Sequence, residues 1–346
     1  MFMTSAGRLS TSVLAECVRL ATAAPSVHNS QPWRFRIRHG AVDVFVDRSR
    51  QLTVIDPSRR EMMVSLGAAI FNLRIAIRNE LRVPLLDLRP DPAEPDLVAR
   101  VTPGPPVLPD RAVAALVTAI PQRHTNRRPF ARTVIPADVL DGLSAAARSE
   151  GAGLTVAGPV ARGAILSLVR TAEQRFRAQG VYHAELAAWT VAAHTGREGI
   201  PPSAWGPCDA RQALPLRDFG VTLPSLQRPV ELFEPFPTLV ILSTASDTYT
   251  DWLRAGQALQ HVLLQATIDH LAATPITQPL EIPALRTLLS NTGTKWVQMI
   301  LRLGYGQPTT PTPRRPLSEI LVPLTGPEPR LAATASADSR WRSASV

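Results

Sequence analysis

A short polar loop between two prolines places the strongest constraint on this chain. Residues 24–33 read Ala-Pro-Ser-Val-His-Asn-Ser-Gln-Pro-Trp, after an apolar helical pattern and before an alternating, strand-like one. Pro25 ends the helix because its ring clashes with the preceding turn and its nitrogen has no hydrogen to donate. The short polar side chains of the loop can bond nearby backbone or a ligand: Ser26, Asn29, Ser30 and Gln31. The pattern predicts a stiff helix-to-strand loop, either an ordinary capped turn or a binding loop for a planar, hydrogen-bonding ligand.

The loop resembles a motif of the nitroreductase superfamily, whose members are FMN-dependent NAD(P)H oxidoreductases. That motif reads Pro-Ser-x-x-Asn-x-Gln-Pro-Trp, and this chain matches it at Pro25, Ser26, Asn29, Gln31, Pro32 and Trp33. In the superfamily the loop lies against the flavin and comes from the partner subunit of a homodimer. The resemblance implies FMN contacts from Pro25, Ser26, Val27, His28, Asn29 and Gln31.

The composition favours a globular protein with a substantial core. A chain of 346 residues suits two modest domains or one large one, and its hydrophobic fraction is 45%, as in ordinary globular proteins. The two cysteines, Cys17 and Cys208, are too few for a disulfide framework, which favours a reducing cytoplasm. Residues 1–12 carry no secretory signal pattern, and no run approaches the ~18 apolar residues of a membrane span. We therefore expect a cytoplasmic protein that does not bind membranes.

The net charge of +9 is compatible with nucleic-acid binding, but the arginines are scattered along the chain. Lys295 is the sole lysine, and the 33 prolines and the alanines are abundant, a bias typical of a GC-rich coding sequence. Arg34, Arg36 and Arg38 form the one obvious basic stripe. Attraction of phosphorylated cofactors is the favoured use of the charge, and no nucleic-acid partner is expected.

A weak internal repeat suggests two related halves. Residues 67–73 and residues 256–262 both begin with glycine, and each leads through a helical pattern to a proline and then to a strand-like segment. We expect a first half over residues 1–108 and a second half over residues 109–325, followed by a disordered tail over residues 326–346.

A second motif lies in the second half. Residues 123–127 read Arg-His-Thr-Asn-Arg and resemble the Arg-Arg-Ser-x-Arg element of the nitroreductases, which holds the FMN phosphate and the polar edge of the ring. On their own these residues also suit a solvated basic turn. The resemblance implies FMN contacts from Arg123, His124, Thr125 and Arg127.

Each half carries one of these two motifs and lacks the other. The first half has no such basic element before its first helix, and the second half has Ser-Glu-Gly-Ala-Gly where its loop motif should come. In the related homodimers the two motifs meet across the subunit interface. The split predicts one complete FMN site, formed between the two halves of one chain.

Two further segments resemble parts of the superfamily site. Pro275, Ile276, Thr277 and Gln278 resemble the segment whose backbone faces N5 and O4 of the flavin, where an N–H can stabilise charge on the reduced ring. Arg314 and Arg315 resemble the basic pair that closes on the phosphate, and the sequence does not distinguish between them. We assign no catalytic residue: His28 and His124 are either proton donors or ordinary hydrogen-bonding side chains. The cysteines lack metal-ligand spacing, so no metal is expected.

The resemblance extends over residues 12–325 and is strongest to the Acg-like branch of the superfamily, which occurs in actinobacteria and is linked there to dormancy and redox stress. It implies an α+β nitroreductase-like fold, an intramolecular pseudo-dimer whose halves each contain a mixed sheet flanked by helices. The favoured function is an FMN-dependent NAD(P)H oxidoreductase that passes electrons to a nitroaromatic or a quinone, as a monomer or a homodimer.

Two other functions stay open. In one, the proline-rich residues 199–237 fold over the flavin as a lid, and the protein sequesters or senses FMN without efficient turnover. In the other, the chain is a basic scaffold that binds no flavin.

Overall fold

The computed structural model describes residues 8–190, 196–290 and 295–323. Its helices are α1 (Thr11–Ala21), α2 (Arg60–Asn79), α3 (Arg111–Ala119), α4 (Ala137–Ser149), α5 (Pro159–Arg177), α6 (Gly180–Ala188), α7 (Tyr249–Ile268), α8 (Pro283–Ser290) and α9 (Leu317–Ile320). Its strands are β1 (Trp33–Arg38), β2 (Ala41–Val46), β3 (Arg82–Leu88), β4 (Leu97–Pro106), β5 (Gly153–Val156), β6 (Cys208–Asp209), β7 (Val230–Glu231), β8 (Thr238–Thr244), β9 (Ala272–Ile276) and β10 (Trp296–Gly304). The tail predicted over residues 326–346 lies outside the described residues. The sequence pattern also predicts a helix that ends at residue 193, and this end lies outside the described residues as well.

The first four-stranded sheet has the order β1-β2-β4-β3 and antiparallel pairings. Between β1 and β2 lies a tight hairpin turn, where His39 and Gly40 both have positive φ (52° and 78°), as a two-residue turn of this twist requires. The sequence predicted an edge segment and then a linker over residues 91–106, and this is wrong: β4 lies between β2 and β3. Its prolines are tolerated there because the pairing with β2 ends at Val101, so the later residues need only one partner strand.

The second four-stranded sheet has the order β5-β8-β10-β9 and is also antiparallel. Neither sheet is mixed, whereas the short pair β6–β7 is parallel. The sequence pattern predicts that Pro275 ends the helix before it, and this prediction is wrong. Helix α7 ends at Ile268, and His270 turns the chain with a positive φ of 60°. Pro275 lies inside β9, which is tolerated because β9 is an edge strand.

Helices α2 and α7 cross in direct backbone contact. A Cβ atom added to Gly67 would lie 2.1 Å from the Leu253 carbonyl oxygen, and one added to Gly256 would lie 2.0 Å from the Val64 carbonyl oxygen. Close to this crossing, the Gln260 amide donates a hydrogen bond of 2.8 Å to the Asn72 side chain, and both residues are fully buried. The two stretches of the predicted repeat thus meet at this crossing.

Polar side chains cap the N-terminal ends of both crossing helices. The Asp56 carboxylate accepts the backbone N–H groups of Glu61 (3.1 Å) and Met62 (2.8 Å) at the start of α2. Thr248 is the N-cap of α7, and Asp251, expected to be the cap, is instead its reciprocal partner in a capping box. Among the described residues, no helix has the length and hydropathy needed to cross a bilayer.

Candidate functional site

A cavity lies beside the crossing of α2 and α7. Its empty volume, counted out to the mouth, is about 1000 Å³. Most of the sequence-predicted FMN residues line it: Pro25, Ser26, Val27, His28, Asn29, Arg123, Thr125, Arg127, Pro275, Thr277, Gln278 and Arg314. The exceptions are Gln31, His124, Ile276 and Arg315, which do not line the cavity. The structure therefore brings four separate sequence segments to one place.

The loop over residues 24–33 contains a 3₁₀ turn, Val27–Asn29, and an unusual backbone. His28, Asn29 and Gln31 all have left-handed φ values (49°, 54° and 50°), which are rare for residues other than glycine. The Ser26 hydroxyl accepts the Gln31 N–H at 2.9 Å and closes the loop. Backbone strain of this kind persists where the surroundings hold it in place, often at functional sites.

The amides of Asn29 and Gln31 attach neighbouring segments to this loop. Asn29 Nδ2 donates to the carbonyls of Gly199 and Pro313, each at 3.0 Å, and Asn29 Oδ1 accepts from Arg314 at 3.0 Å. Gln31 Oε1 accepts the backbone N–H of Arg315 at 2.8 Å. Because these groups already bond protein atoms, both amides position the cavity wall.

The Arg-His-Thr-Asn-Arg element is attached to strand β9. The Asn126 N–H donates to the Ala273 carbonyl at 2.9 Å, and the Thr274 hydroxyl donates to the Asn126 carbonyl at 2.5 Å. These bonds place Arg123 and Arg127 beside the segment that begins at Pro275. Two of the predicted site segments are thus held together by backbone and hydroxyl contacts.

Three arginines border the cavity without a carboxylate partner among the described residues: Arg123, which is buried, and Arg127 and Arg314, which are half-buried. Burial lowers the pKa of Arg123 and of Arg127 to about 10, with a smaller contribution from Arg217 at Arg127. Burial and the neighbouring Arg123 lower the pKa of Arg314 to about 9. Unpaired buried charges are costly, so this cluster has the electrostatics of an anion site.

The side chains of Arg314 and Arg315 have different neighbours. Arg314 Nη2 and Arg123 Nη2 both donate to the Ala23 carbonyl, at 3.3 Å and 3.5 Å, so the two guanidinium groups are neighbours. The Arg315 side chain instead bonds Glu319, with Nη2 3.0 Å from its carbonyl oxygen. Of the two arginines that the sequence left undistinguished, only Arg314 borders the cavity.

Both candidate histidines have depressed pKa values. Burial, Arg217 and Arg127 lower the pKa of His28 below its ordinary range, and burial, Arg123 and Arg314 lower that of His124 to about 4. Neither ring nitrogen of the buried His28 has a hydrogen-bond partner among the described residues. A neutral imidazole offers one donor and one acceptor, so His28 is free to bond a ligand but is a poor acid at neutral pH.

Several cavity residues were not predicted from the sequence. Glu61 and Ser65 come from α2, and Arg217 and Phe219 come from the proline-rich residues 199–237. The Arg127 guanidinium carbon lies 5.0 Å from the Phe219 ring centroid, and Arg217 forms an ion pair with Glu281. The acidic first turn of a buried helix was a signal for Glu61, whereas nothing in the local sequence marks Arg217. No group of three or more metal-ligating side chains capable of holding a metal is found in the described parts of the chain.

Comparison with protein-family models gives no match. Over 321 residues the chain is 33% identical to a Mycobacterium tuberculosis protein named "Putative NAD(P)H nitroreductase", spanning 89% of this chain and 91% of that protein. Over 324 residues it is 31% identical to "Putative NAD(P)H nitroreductase acg" of the same organism, spanning 90% and 96%. An uncharacterized M. tuberculosis protein is 33% identical over 330 residues, spanning 91% and 94%.

Solved nitroreductase structures overlap this chain less closely. FMN-dependent nitroreductase NfnB from Mycobacterium smegmatis, in complex with NADPH, gives a TM-score of 0.37 at 15% identity and covers 64% of this chain and 100% of its own. A nitroreductase with bound FMN from Bacteroides fragilis gives 0.35 at 18% identity, covering 56% and 88%. TM-scores this low carry no argument about the site. The identity to curated relatives over about nine-tenths of both chains decides the matter: this chain belongs to the nitroreductase superfamily, in its Acg-like branch.

Proposed function

We propose that this protein is an FMN-dependent NAD(P)H oxidoreductase that binds one FMN in the cavity beside α2 and α7. The observation that carries the proposal is a group of arginines without a carboxylate partner among the described residues, the buried Arg123 and the half-buried Arg127 and Arg314, in a cavity lined by both sequence motifs. Relatives named for NAD(P)H nitroreductase activity support the same reaction class.

The cavity residues fit FMN on chemical grounds. The neighbouring guanidinium groups of Arg123 and Arg314 would hold the phosphate, because an anion there offsets one buried and one half-buried charge. Thr125, Arg127 and the backbone of residues 275–278 would hold the polar edge of the ring. When bound, the cofactor supplies hydride chemistry, taking a hydride from NAD(P)H and reducing a nitroaromatic or a quinone. This chain's part is to bind, orient and exclude water.

One FMN per chain is part of the proposal. The loop over residues 24–33 and helix α2 precede residue 108, whereas the arginine element, β9 and Arg314 follow it. We therefore propose that residues 1–108 and 109–325 are the two halves of an intramolecular pseudo-dimer, active as a monomer or within a homodimer. The free cysteines support a cytoplasmic location, and a role in dormancy or redox stress stays a prediction.

One observation favours a second candidate function, in which the protein sequesters or senses FMN with little turnover. Residues 199–237 contribute Ile200, Leu216, Arg217 and Phe219 to the cavity wall. The start of this segment is attached to two other parts of the cavity wall. Asn29 donates to the Gly199 carbonyl, and Arg127 donates to the Ala204 carbonyl at 2.9 Å. A covering segment so attached would hinder the entry of NAD(P)H.

Anaerobic reduction separates the two functions. FMN is bound to the protein, NADPH and then NADH are added without oxygen, and the visible absorbance is followed before a quinone or a nitroaromatic is admitted. Bleaching within seconds, followed by reoxidation by the acceptor, supports the oxidoreductase. A bound flavin that stays oxidised contradicts it and supports sequestration. A protein that ignores added FMN contradicts both.

A further inference from the structure

Glu61 lies between two cavities. It borders the proposed FMN cavity together with Val64 and Ser65 of the same helix. It also borders an outer cavity with an empty volume of about 750 Å³, lined among others by Asp56, Asp247, Glu281 and Arg286. A space of that size with so many polar groups holds several waters. The Glu61 carboxyl, 4% exposed, is thus the group that the two spaces have in common.

A buried network of charges surrounds this carboxyl. Arg60 Nη2 donates to Glu61 Oε1 at 2.6 Å, and Arg60 Nη1 donates to the Gln298 carbonyl at 2.6 Å. Arg217 pairs with Glu281, which also accepts the Thr277 hydroxyl at 2.6 Å. The charged groups facing Glu61 from its own helix, the preceding loop, the 199–237 segment and the turn before α8 are Arg60, Asp56, Arg217 and Glu281. Three carboxyls share two guanidinium groups here, so one retained proton makes the cluster neutral.

The proposed reaction needs a proton that the rest of the cavity does not readily supply. A quinone becomes a hydroquinone by taking up two electrons and two protons, and a hydride delivers both electrons and one proton. The second proton must reach the quinone oxygen inside the cavity. Arg123, Arg127 and Arg314, with pKa values of about 9 to 10, are weaker acids than a protonated carboxyl, and His28 and His124 are neutral. A protonated buried carboxyl is the acid best suited to this step.

We propose that Glu61 is the proton donor of this site and is recharged from the outer cavity. The inference rests on the proposed function. The Glu61 O–H bond breaks as the O–H bond of the reduced acceptor forms, and the carboxylate left behind takes up a proton from bulk solvent that is relayed through water in the outer cavity. Glu61 faces both spaces, so the proton enters without opening the flavin cavity to solvent.

The acid–base properties of Glu61 agree with this role. Burial is the largest cause that raises its pKa, to about 8, with smaller upward contributions from Glu281 and Asp56 and opposing ones from Arg60 and Arg217. The carboxyl is therefore protonated at neutral pH. Proton delivery proceeds below this pKa and is lost as the pH rises through it.

The kinetic test follows the oxidative half-reaction alone. The flavin-loaded protein is reduced photochemically, without NAD(P)H, and mixed anaerobically with a benzoquinone over a range of pH. For the parent we expect reoxidation that slows above about pH 8. Glu61→Gln keeps the size and the contact with Arg60 but has no acid proton, so we expect reoxidation about 100-fold slower and no pH step. Glu61→Asp should restore part of the rate and the pH step.

Glu173→Gln is the matched control. Glu173 is also a buried carboxyl whose pKa is raised by burial, but it borders a different cavity, with Arg170 and Cys208. We expect this variant to keep the parent's rate and pH step. Parent-like rate and pH dependence in Glu61→Gln would overturn the inference while leaving the oxidoreductase intact, because the flavin is still bound and reduced.

An infrared measurement tests Glu61 without any flavin. Difference spectra between about pH 7 and about pH 9 should contain a carboxylic-acid band that is lost with rising pH in the parent and in Glu173→Gln. The band should be missing from Glu61→Gln. An unchanged band in Glu61→Gln overturns the inference. If the chain binds no FMN, the proposed function fails, and the band still decides whether Glu61 holds a proton.

Discussion

Arg123 and Arg314 share the Ala23 carbonyl as a hydrogen-bond acceptor, and neither meets a carboxylate among the described residues. Arg302, which is fully buried, shows the contrast: its Nε lies 2.6 Å from Glu234 Oε1 in a closed ion pair. A buried cation that lacks such a partner lowers the stability of the free protein and favours the binding of an anion. Arg123 and Arg314 together thus make the cavity electrostatically favourable for an anion.

Arg123→Gln should therefore weaken FMN binding without destabilising the protein. We expect the Kd for FMN to rise about 10–100-fold, the effect of losing a charge-assisted contact. The free energy of unfolding should stay the same or rise, because the Arg123 side chain makes one long hydrogen bond among the described residues and carries an uncompensated buried charge. Fluorescence titration with FMN and urea unfolding measure the two quantities. Arg315→Gln, which removes a surface pair with Glu319, is the control and should leave the Kd unchanged; equal losses in both variants would contradict the placement.

Glu61 should make the stability fall with rising pH. Its pKa is about 8 in the native protein and near its ordinary value of 4.5 in the unfolded chain. Between these values the native state binds more protons than the unfolded state, so the free energy of unfolding decreases as pH increases, by up to ~1.4 kcal/mol per pH unit. Urea unfolding of the parent and of Glu61→Gln at several pH values should show a flatter dependence in the variant. The same slope in both would contradict the buried, protonated carboxyl.

At the residue scale, the sequence predicted cavity side chains that belong to a recognisable motif better than cavity side chains that lie outside any motif. His28, Arg123 and Arg314 were predicted because each belongs to a short stretch with its own residue pattern. Arg217 and Glu61 were not, because their place at the cavity depends on how the 199–237 segment and α2 pack against distant parts of the chain. The same reason left Arg314 and Arg315 undistinguished until the bonds of Gln31 and Asn29 to their segment were known.

At the scale of elements, the crossing of α2 and α7 sets the position of the cavity wall. Gly67 and Gly256 let the two backbones touch, so Val64 of one helix and Leu259 of the other lie side by side at the cavity. A methyl group at either glycine would meet backbone carbonyl oxygen, which cannot move aside as a flexible side chain can.

Gly67→Ala and Gly256→Ala should each destabilise the protein by about 1–3 kcal/mol or more, since overpacking forces the backbones apart. Gly142→Ala and Gly163→Ala are controls inside α4 and α5, where an added Cβ meets nothing within 4 Å. These should stabilise by ~0.5–1 kcal/mol through helix propensity. Chemical unfolding measures all four, and similar effects at all four positions would contradict direct helix contact.

The covering segment gives a prediction of its own. Phe219→Ala removes a ring from the cavity wall and from its contact with Arg127, so the reduction of bound FMN by NADPH should become several-fold faster if the segment limits access. Leu226→Ala, at a half-exposed position of the same segment that does not border the cavity, should not change the rate. Stopped-flow absorbance measures it. Equal rates of FMN reduction in the parent and in Phe219→Ala would contradict the hypothesis that this segment acts as a lid.

Periodicity predicted most helices and hairpin strands, because it depends on local burial. The β1–β2 hairpin and helix α2 are close to the expected ranges. Strand β4 was taken for an edge segment because its prolines weaken the strand signal, and only the partner strands reveal that they fall beyond the pairing with β2. Helix α8 was missed since eight residues that begin with a proline give too short a pattern.

At the scale of the whole molecule, one cavity draws on residues from both sides of the proposed boundary at residue 108. The loop over residues 24–33 and α2 precede this boundary, and the arginine element, β9 and Arg314 follow it. That these segments belong to two related halves stays a prediction, made because each proposed half carries one motif and lacks the other. The sequence could not predict how residues 199–237 cover the cavity, since that segment has no repeating pattern and owes its course to tertiary contacts such as those of Asn29 and Arg127.

The stoichiometry of FMN binding tests the central claim most directly. Native mass spectrometry of the FMN-saturated protein gives the number of flavins and the number of chains in each species at once. We expect one FMN per chain in every oligomeric state that is present, because one chain contains one complete set of site residues. Two flavins per chain, one flavin shared by two chains, or no bound flavin would contradict a single site formed within each chain.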